Sequence, residues 1–449
     1  MSAPASPAPG RPPVAPASGR APAGTRGVLR DAAFRRLWAG MTVSKLGTSV
    51  AGIATPLIAV QMLDASAFTV SLLTAAAWLP WLVVGLPAGA WIDRMAKRPV
   101  MLVCDLASAV LVASVPLAAW LYHLTVSHLL AVALLVGIAS VFFQVAWTAY
   151  LPAMFEADDL VGANSVLQGS ESAVQIAGPA VAGALMAAVN AVTGLILDAL
   201  TFVASAVSLL VIRRPERRPV PDPTARHSIG RDIAEGVRWL AREPLLRSLT
   251  LHGAAGNIAL TGYGAIIVVF LIRDIGVSTA TVGLLMAASG LGGVAAATAT
   301  PFLVRRIGAA RTMIRCKVAA GLASLLIPLT TPGYGLITFI AGTALVAACV
   351  VAGNVVAGTF RQTYVPPALL ARVVTGMQFV NLGAIPLGAL LGGAAATALG
   401  TRGAIWCMTI FYAAAGAILL LGPWRGRRDL PSPTLPPTPA PAADLATCS

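Results

Sequence analysis

The chain has 449 residues, 57% of them apolar or aromatic and 11% charged, and its 31 Lys and Arg against 17 Asp and Glu leave a net charge of +14. That apolar share excludes an ordinary soluble domain, and the unbroken Leu, Ala, Gly and Val runs exclude the short alternating segments of a transmembrane β-barrel. The five cysteines are scattered, with no CxxC pair and no Cys/His cluster, so neither a disulfide framework nor a metal site is expected.

Residues 1–27 form a Pro/Ala tract without the apolar core of a signal peptide, and it reads as disordered, as do residues 431–449. A transmembrane helix takes roughly 20 apolar residues. Twelve such stretches follow, at 38–63, 68–91, 99–121, 128–150, 163–189, 192–212, 246–272, 279–303, 311–330, 334–360, 373–398 and 403–424. The expectation is an all-α polytopic membrane protein of twelve transmembrane helices, here called spans 1 to 12. An even number puts both termini on one side. Of the 31 cations, 28 fall in the segments on that side, two (Arg273 and Arg402) fall on the other, and Lys45 lies within span 1. This positive-inside pattern makes the termini cytoplasmic in a bacterial inner membrane. It assigns the basic balance to topology and anionic lipid, leaving nucleic acid out as a partner.

The loop at 213–245 separates two six-span halves, 34–212 and 246–424, flanked by tails at 1–33 and 425–449. The halves echo one another. "GAWIDRMAKRPVM" from Gly89 is matched by "PFLVRRIGAARTM" from Pro301, an offset of 212, and "YLPAMFEADDLVGAN" from Tyr150 by "YVPPALLARVVTGMQ" from Tyr364, an offset of 214. Such a parallel repeat sets its ligand site between the halves. Within the central loop Ile229, Ile233, Val237 and Leu240 share one helical face, which predicts a short helix lying on the inner leaflet.

"GAWIDRMAKR" resembles the loop 2–3 signature of the major facilitator superfamily, with Gly89, Asp93, Arg94, Lys97 and Arg98 in place and Ala96 where the family usually has Gly. "AYLPAMFEADDLVGANSV" and "IAGPAVAG" are similar to the branch containing macrolide efflux proteins and the enterobactin exporter. In the second copy Arg305 replaces the signature's acid. The resemblance covers roughly residues 34–424. It implies the major facilitator fold, a central cavity lined by spans 1, 4, 7 and 10, and a gate at the terminus side. In that gate Asp93 caps the start of span 11 when the side is closed; Asp105, twelve residues on and near the inner end, reads as part of the gate network rather than a substrate ligand.

An ionisable residue at membrane depth is costly and is a functional candidate by default. In span 5, Asn164, Gln168, Glu171 and Gln175 are spaced 4, 3 and 4 apart and make one polar stripe. Glu171 lies roughly 12 Å into the span, where it serves either as a proton carrier or as a tie to a neighbouring helix. Asp198 in span 6 is a second acid for proton coupling, with a local polar anchor as its alternative. Lys45 shares a face with Thr42, Ser49, Gly52 and Pro56. It has three readings: an anionic substrate's partner, an acid's partner, or a side chain snorkelling to the interface. Gly178-Pro179 with Gly183 resembles a weakened antiporter signature, which makes it either a tightly packed gate or ordinary small-residue packing.

The cavity-lining spans offer Gln144 and Trp147, then Asn257 and Tyr263 with His252 nearer the inner end, and Asn354 with Arg361. Mixed aromatic and amide groups in an Ala, Gly and Leu wall suit a bulky amphipathic molecule better than a sugar. With no Gly-Lys-Ser/Thr phosphate loop and no HExxH, neither ATP-driven transport by this chain nor an intramembrane hydrolase is expected. The reading is therefore an exporter of an amphipathic small molecule such as a drug, antibiotic or siderophore. It acts as a monomer, without a cofactor, by proton antiport. A nutrient importer or facilitator remains open, as does a non-transporting component such as a lipid scramblase or scaffold.

Overall fold

A computed structural model describes residues 28–93, 95–154, 157–212 and 238–430, and these are helical nearly throughout, with no strand among them. Among the described residues nine helices are each long and apolar enough to cross a membrane, and the one at Arg372–Leu420 holds two passes. The remaining passes are span 2, in two pieces at Ala67–Val83 and Gly85–Asp93, and span 5 at Ala157–Ala188. That makes the twelve expected. Span 2 breaks at Val84, ahead of Pro87, whose ring removes the donor that would bond the Val83 carbonyl. Spans 11 and 12 run as one helix, Pro367–Ala415, interrupted at Gly400, where φ of 73° stops regular winding. The predicted disordered tracts and most of the central loop, Ile229, Ile233 and Val237 included, lie outside the described residues. Residues 238–242 are helical, and Leu240 among them is buried in the second half's core beside Trp239 and Leu245.

The duplication seen in the loops also governs the turns. Ser66 caps span 2 by accepting from Thr69 N, and Ser278, 212 residues later, caps span 8 by accepting from Thr281 N. Each such cap stabilises its helix by about 1 kcal/mol. Two residues before each cap the chain turns through positive φ, at Asp64 (46°) and Gly276 (75°), again 212 apart. Asp tolerates that region better than most side chains, so the first half keeps a carboxylate where the second has glycine.

Within each half, span 1 packs on spans 5 and 6, span 3 on 4 and 6, span 8 on 10, and span 9 on 10. The halves meet through spans 5 and 8 and through spans 2 and 11. At the first seam a Cβ on Gly183 would lie 2.4 Å from Ala287 N and Gly283 O, and one on Gly283 would lie 2.5 Å from Gly183 O. The contact continues through Gly290 against Ala180 to Gly293 against Ile176. At the second seam Gly393 meets Ser71 and Phe68, and Gly383 meets Leu82.

These contacts cluster toward the end of the bundle away from the termini. There one apolar core runs across both halves, joining Leu57, Ile58, Leu73 and Met186 to Ile266, Phe270, Val282 and Leu285. At the terminus end the core divides in two: Phe34, Met101, Tyr150 and Leu209 on one side, Leu246, Met313, Phe360 and Trp424 on the other. The described residues therefore form a bundle sealed at its far end and parted at its terminus end.

The far end also carries polar ties between halves. Arg273 pairs with Asp64, and Gln61 bonds to Thr279. Arg273 is presented by a π-helical turn at Phe270–Asp274, where span 7 widens as it ends.

Candidate functional site

Spans 1 and 5 are held in register by two small contacts. Trp38 Nε1 donates to Ser170 Oγ, and Ser49 Oγ sits against Gly178, where a Cβ would lie 2.7 Å from it. Between those contacts Lys45 Nζ pairs with Glu171 Oε2, each side chain about a third exposed (33% and 35%). Gln175 Nε2 donates to Glu171 Oε1 at 3.5 Å. The stripe predicted on span 5 is thus open to solvent at Asn164, Gln168 and Gln175 and closed by span 1 at Glu171. Of the three readings for Lys45 the structure realises pairing with an acid, one whose sequence separation of 126 residues hides it from any local pattern. The seam between spans 5 and 8 reaches Ile176, and Glu171 lies five residues nearer the terminus end, about 7 Å along the helix. The pair therefore stands just under the seal, at the closed end of the cleft between the halves.

The second half presents a different chemistry. Asn354 is exposed and Arg361 half-buried, and seven residues apart they occupy one face of span 10. Lys317 of span 9 is buried and donates from Nζ to Asn354 Oδ1 at 3.3 Å. The residue-level reading counted Lys317 and Arg361 among the cations of the terminus side. Lys317 is buried within the helix Ala309–Ser324, and Arg361 stands half-buried in the last turn of span 10. Lys317 was legible as a lysine inside a predicted span, in a half whose only acid between 244 and 424 is Asp274.

Other candidates take packing positions. Gln144 is half-buried on span 4, while Trp147 is buried in the first half's terminus-end core. Tyr263 is buried in the far-end core, so neither aromatic lines the cleft. Asn257 donates to the Asn381 carbonyl at 3.0 Å and ties span 7 to span 11, and His252 is buried against the Ala415 carbonyl at 3.2 Å. Asp105 is buried between spans 3 and 6, away from the loop 2–3 signature, with Oδ2 lacking a hydrogen bond among the described residues. Asp198 is buried and fills the space left by Gly47 of span 1, where a Cβ would lie 2.6 Å from Oδ1. Gly183 serves the half-to-half seam, whereas Gly178 faces span 1 within its own half and Pro179 is exposed.

In the loop 2–3 signature, Arg98 donates to the carbonyls of Leu209 and Leu210, both at 3.0 Å, and so caps the C-terminus of span 6 with a cation. Lys97 is buried. Gly89 and Asp93 belong to the short helix Gly85–Asp93, but their side chains, like Arg94, lie outside the described residues. Span 11 begins at Pro367 without a side-chain cap. Among the described residues no group of three or more His, Cys, Asp or Glu is placed to hold a metal.

Two pseudo-equivalent six-helix halves, with a charged cleft between them sealed at one end, define a membrane transporter. The solved structures agree on the fold. A bacterial homologue of the iron transporter ferroportin in an inward-facing state aligns with a TM-score of 0.66 at 15% identity, over 89% of this chain and 100% of that one. The nucleoside transporter NupG aligns at 0.66 and 13%, over 87% and 98%. The family profile described as transmembrane secretion effector, of the major facilitator superfamily, matches residues 23–443, and the chain belongs to that family. It is a multi-pass membrane transporter and not an enzyme. The multidrug efflux pump Tap of Mycolicibacterium fortuitum is 26% identical over 408 residues, 88% of this chain and 97% of that protein. Macrolide efflux protein A of Streptococcus pyogenes is 25% identical over 223 residues, 49% and 54% of the two chains.

Proposed function

We propose that the protein exports an amphipathic small molecule from the cytoplasm in exchange for protons, as a monomer in the bacterial cytoplasmic membrane with both termini inside. The Lys45–Glu171 pair under the seal carries this reading. A carboxylate at the closed end of an open cleft is reachable by water from one side only, and alternating access moves that side. With Glu171 ionised, its attraction to Lys45 holds span 5 to span 1 in a low-dielectric setting. A proton on Glu171 removes the attraction and leaves Lys45 without its counter-charge, so the two protonation states favour different helix arrangements. The relatives named as a multidrug efflux pump and a macrolide efflux protein support export as the direction. The Ala-, Gly- and Leu-rich walls support an amphipathic cargo.

The test is Glu171→Gln, which keeps size and hydrogen bonding while fixing the neutral state. In proteoliposomes the variant is expected to exchange substrate for substrate at wild-type rate and to build no gradient from an imposed pH difference. pH-driven accumulation at wild-type rate would sink the coupling role, and Asp198 and Asp105 would be tested next.

A further inference from the structure

We propose that the second half of the cleft contains a binding site for an oxyanion, formed by Lys317, Asn354 and Arg361, which takes the carboxylate, sulfonate or phosphate group of an amphipathic organic anion. It rests on the transport reading and names the cargo class.

The site is built rather than incidental. Lys317 is only 9% exposed, and its stem lies along span 10 where Gly353 makes room, since a Cβ there would be 3.1 Å from Lys317 Cγ. From that channel Nζ reaches Asn354 Oδ1 at 3.3 Å. With Oδ1 engaged, the amide donors of Asn354 make no hydrogen bond among the described residues, and the residue is exposed. Arg361, two turns along, folds back along its own helix so that Nη2 lies 3.8 Å from the Cβ position of Gly358. That turns its guanidinium back toward the Asn354 end of the face. Among the described residues Arg361 makes no side-chain hydrogen bond or ion pair. Every polar group offered to the cleft here is a donor, and two of the three are cations.

Among the described residues no ion pair involves Lys317 or Arg361, while Glu243, just before span 7, accepts from the Tyr364 hydroxyl at 3.0 Å one turn beyond Arg361. Between residues 244 and 424 the only acid is Asp274, at the far end of span 7, where it bonds to Thr401. His252 is committed to the Ala415 carbonyl. The first half's cation, Lys45, is neutralised by Glu171. Lys317 lies within span 9 at membrane depth, where an unpaired cation is costly and is retained where a ligand supplies the missing charge, and Arg361 stands in the last turn of span 10. A guanidinium with an ammonium and an amide donor matches the lone pairs of an oxyanion, and charge-assisted bonds of this kind are the strong ones.

The experiment uses the full chain in phosphatidylcholine nanodiscs and two fluorescent probes that differ by one sulfonate, 8-anilinonaphthalene-1-sulfonate and N-phenyl-1-naphthylamine. The sulfonate is expected to bind more tightly than the neutral probe. Lys317→Met, Arg361→Gln and Asn354→Asp are each expected to weaken the sulfonate by about tenfold while shifting the neutral probe less than about twofold. Asn354→Asp guards against misfolding, because it supplies Lys317 with an internal counter-ion and should fold at least as well as the wild type. Equal affinity for the two probes in the wild type, or folded variants that shift both alike, overturns the proposal. An anionic lipid is the other source of such a group. Adding phosphatidylglycerol in high salt, where surface repulsion is screened, weakens the sulfonate if a lipid headgroup occupies the site and leaves it unchanged if the occupant is a solute. Probe selectivity that survives while cells show no drug efflux would count against export and leave the oxyanion site standing.

Discussion

Gly183→Ala tests whether the seam between spans 5 and 8 sets the conformational balance. The added Cβ would stand 2.4 Å from Ala287 N and Gly283 O, whereas ordinary non-bonded contact is about 3.5 Å. The neighbours are backbone atoms of a helix and have no rotamer to give, so span 8 must move away by about 1 Å. Overpacking of this size costs about 1–3 kcal/mol, and the cost falls on the arrangement that closes the far end. The ratio of the two arrangements should therefore shift by between about fivefold and a hundredfold toward the one closed at the terminus end. Gln168 is exposed on the span 5 stripe nearer the terminus end, and a cysteine there, in a background lacking the native ones, reports the open cleft. Its modification by a membrane-impermeant maleimide from the terminus side should slow by up to that factor. An unchanged rate in a folded Gly183→Ala protein refutes the reasoning. So does a lower melting temperature with no change in rate, since the glycine would then serve stability alone.

Lys45→Met and Glu171→Gln should be non-additive in thermal unfolding, with a coupling of about 1 kcal/mol once screening of these partly exposed groups is allowed for; strict additivity would mean the pair makes no net interaction. Asp64→Asn removes the tie to Arg273 and is expected to raise labelling of the cleft from the far side in low salt only, because an exposed pair is screened at high salt. An equal effect at all ionic strengths would point to the positive-φ turn instead. Cysteines placed at 222 and 434 should react only from the cytoplasm and one at 125 only from outside; the reverse pattern would overturn the orientation drawn from the basic residues.

Span number, the two halves and their 212-residue offset are local properties, carried by hydropathy and by turn residues such as Ser66 and Ser278, and so they are legible in the chain itself. The polar stripe on span 5 is legible for the same reason: helical periodicity fixes which residues share a face. What a face meets is not local. Span 5 sets Glu171 against Lys45 and so makes it an ion-pair partner rather than a snorkelling side chain, and the burial of Lys317 depends on Gly353 of span 10, which admits its stem. Trp147 and Tyr263 have the composition of a cavity wall yet are buried in the cores, because a helix face turned toward a neighbour and one turned toward a cleft carry the same residue types. Tertiary packing alone decided which end of the bundle is sealed. That choice depends on backbone contacts at Gly183, Gly283 and Gly290, and a glycine in an apolar run does not reveal whether another helix lies against it.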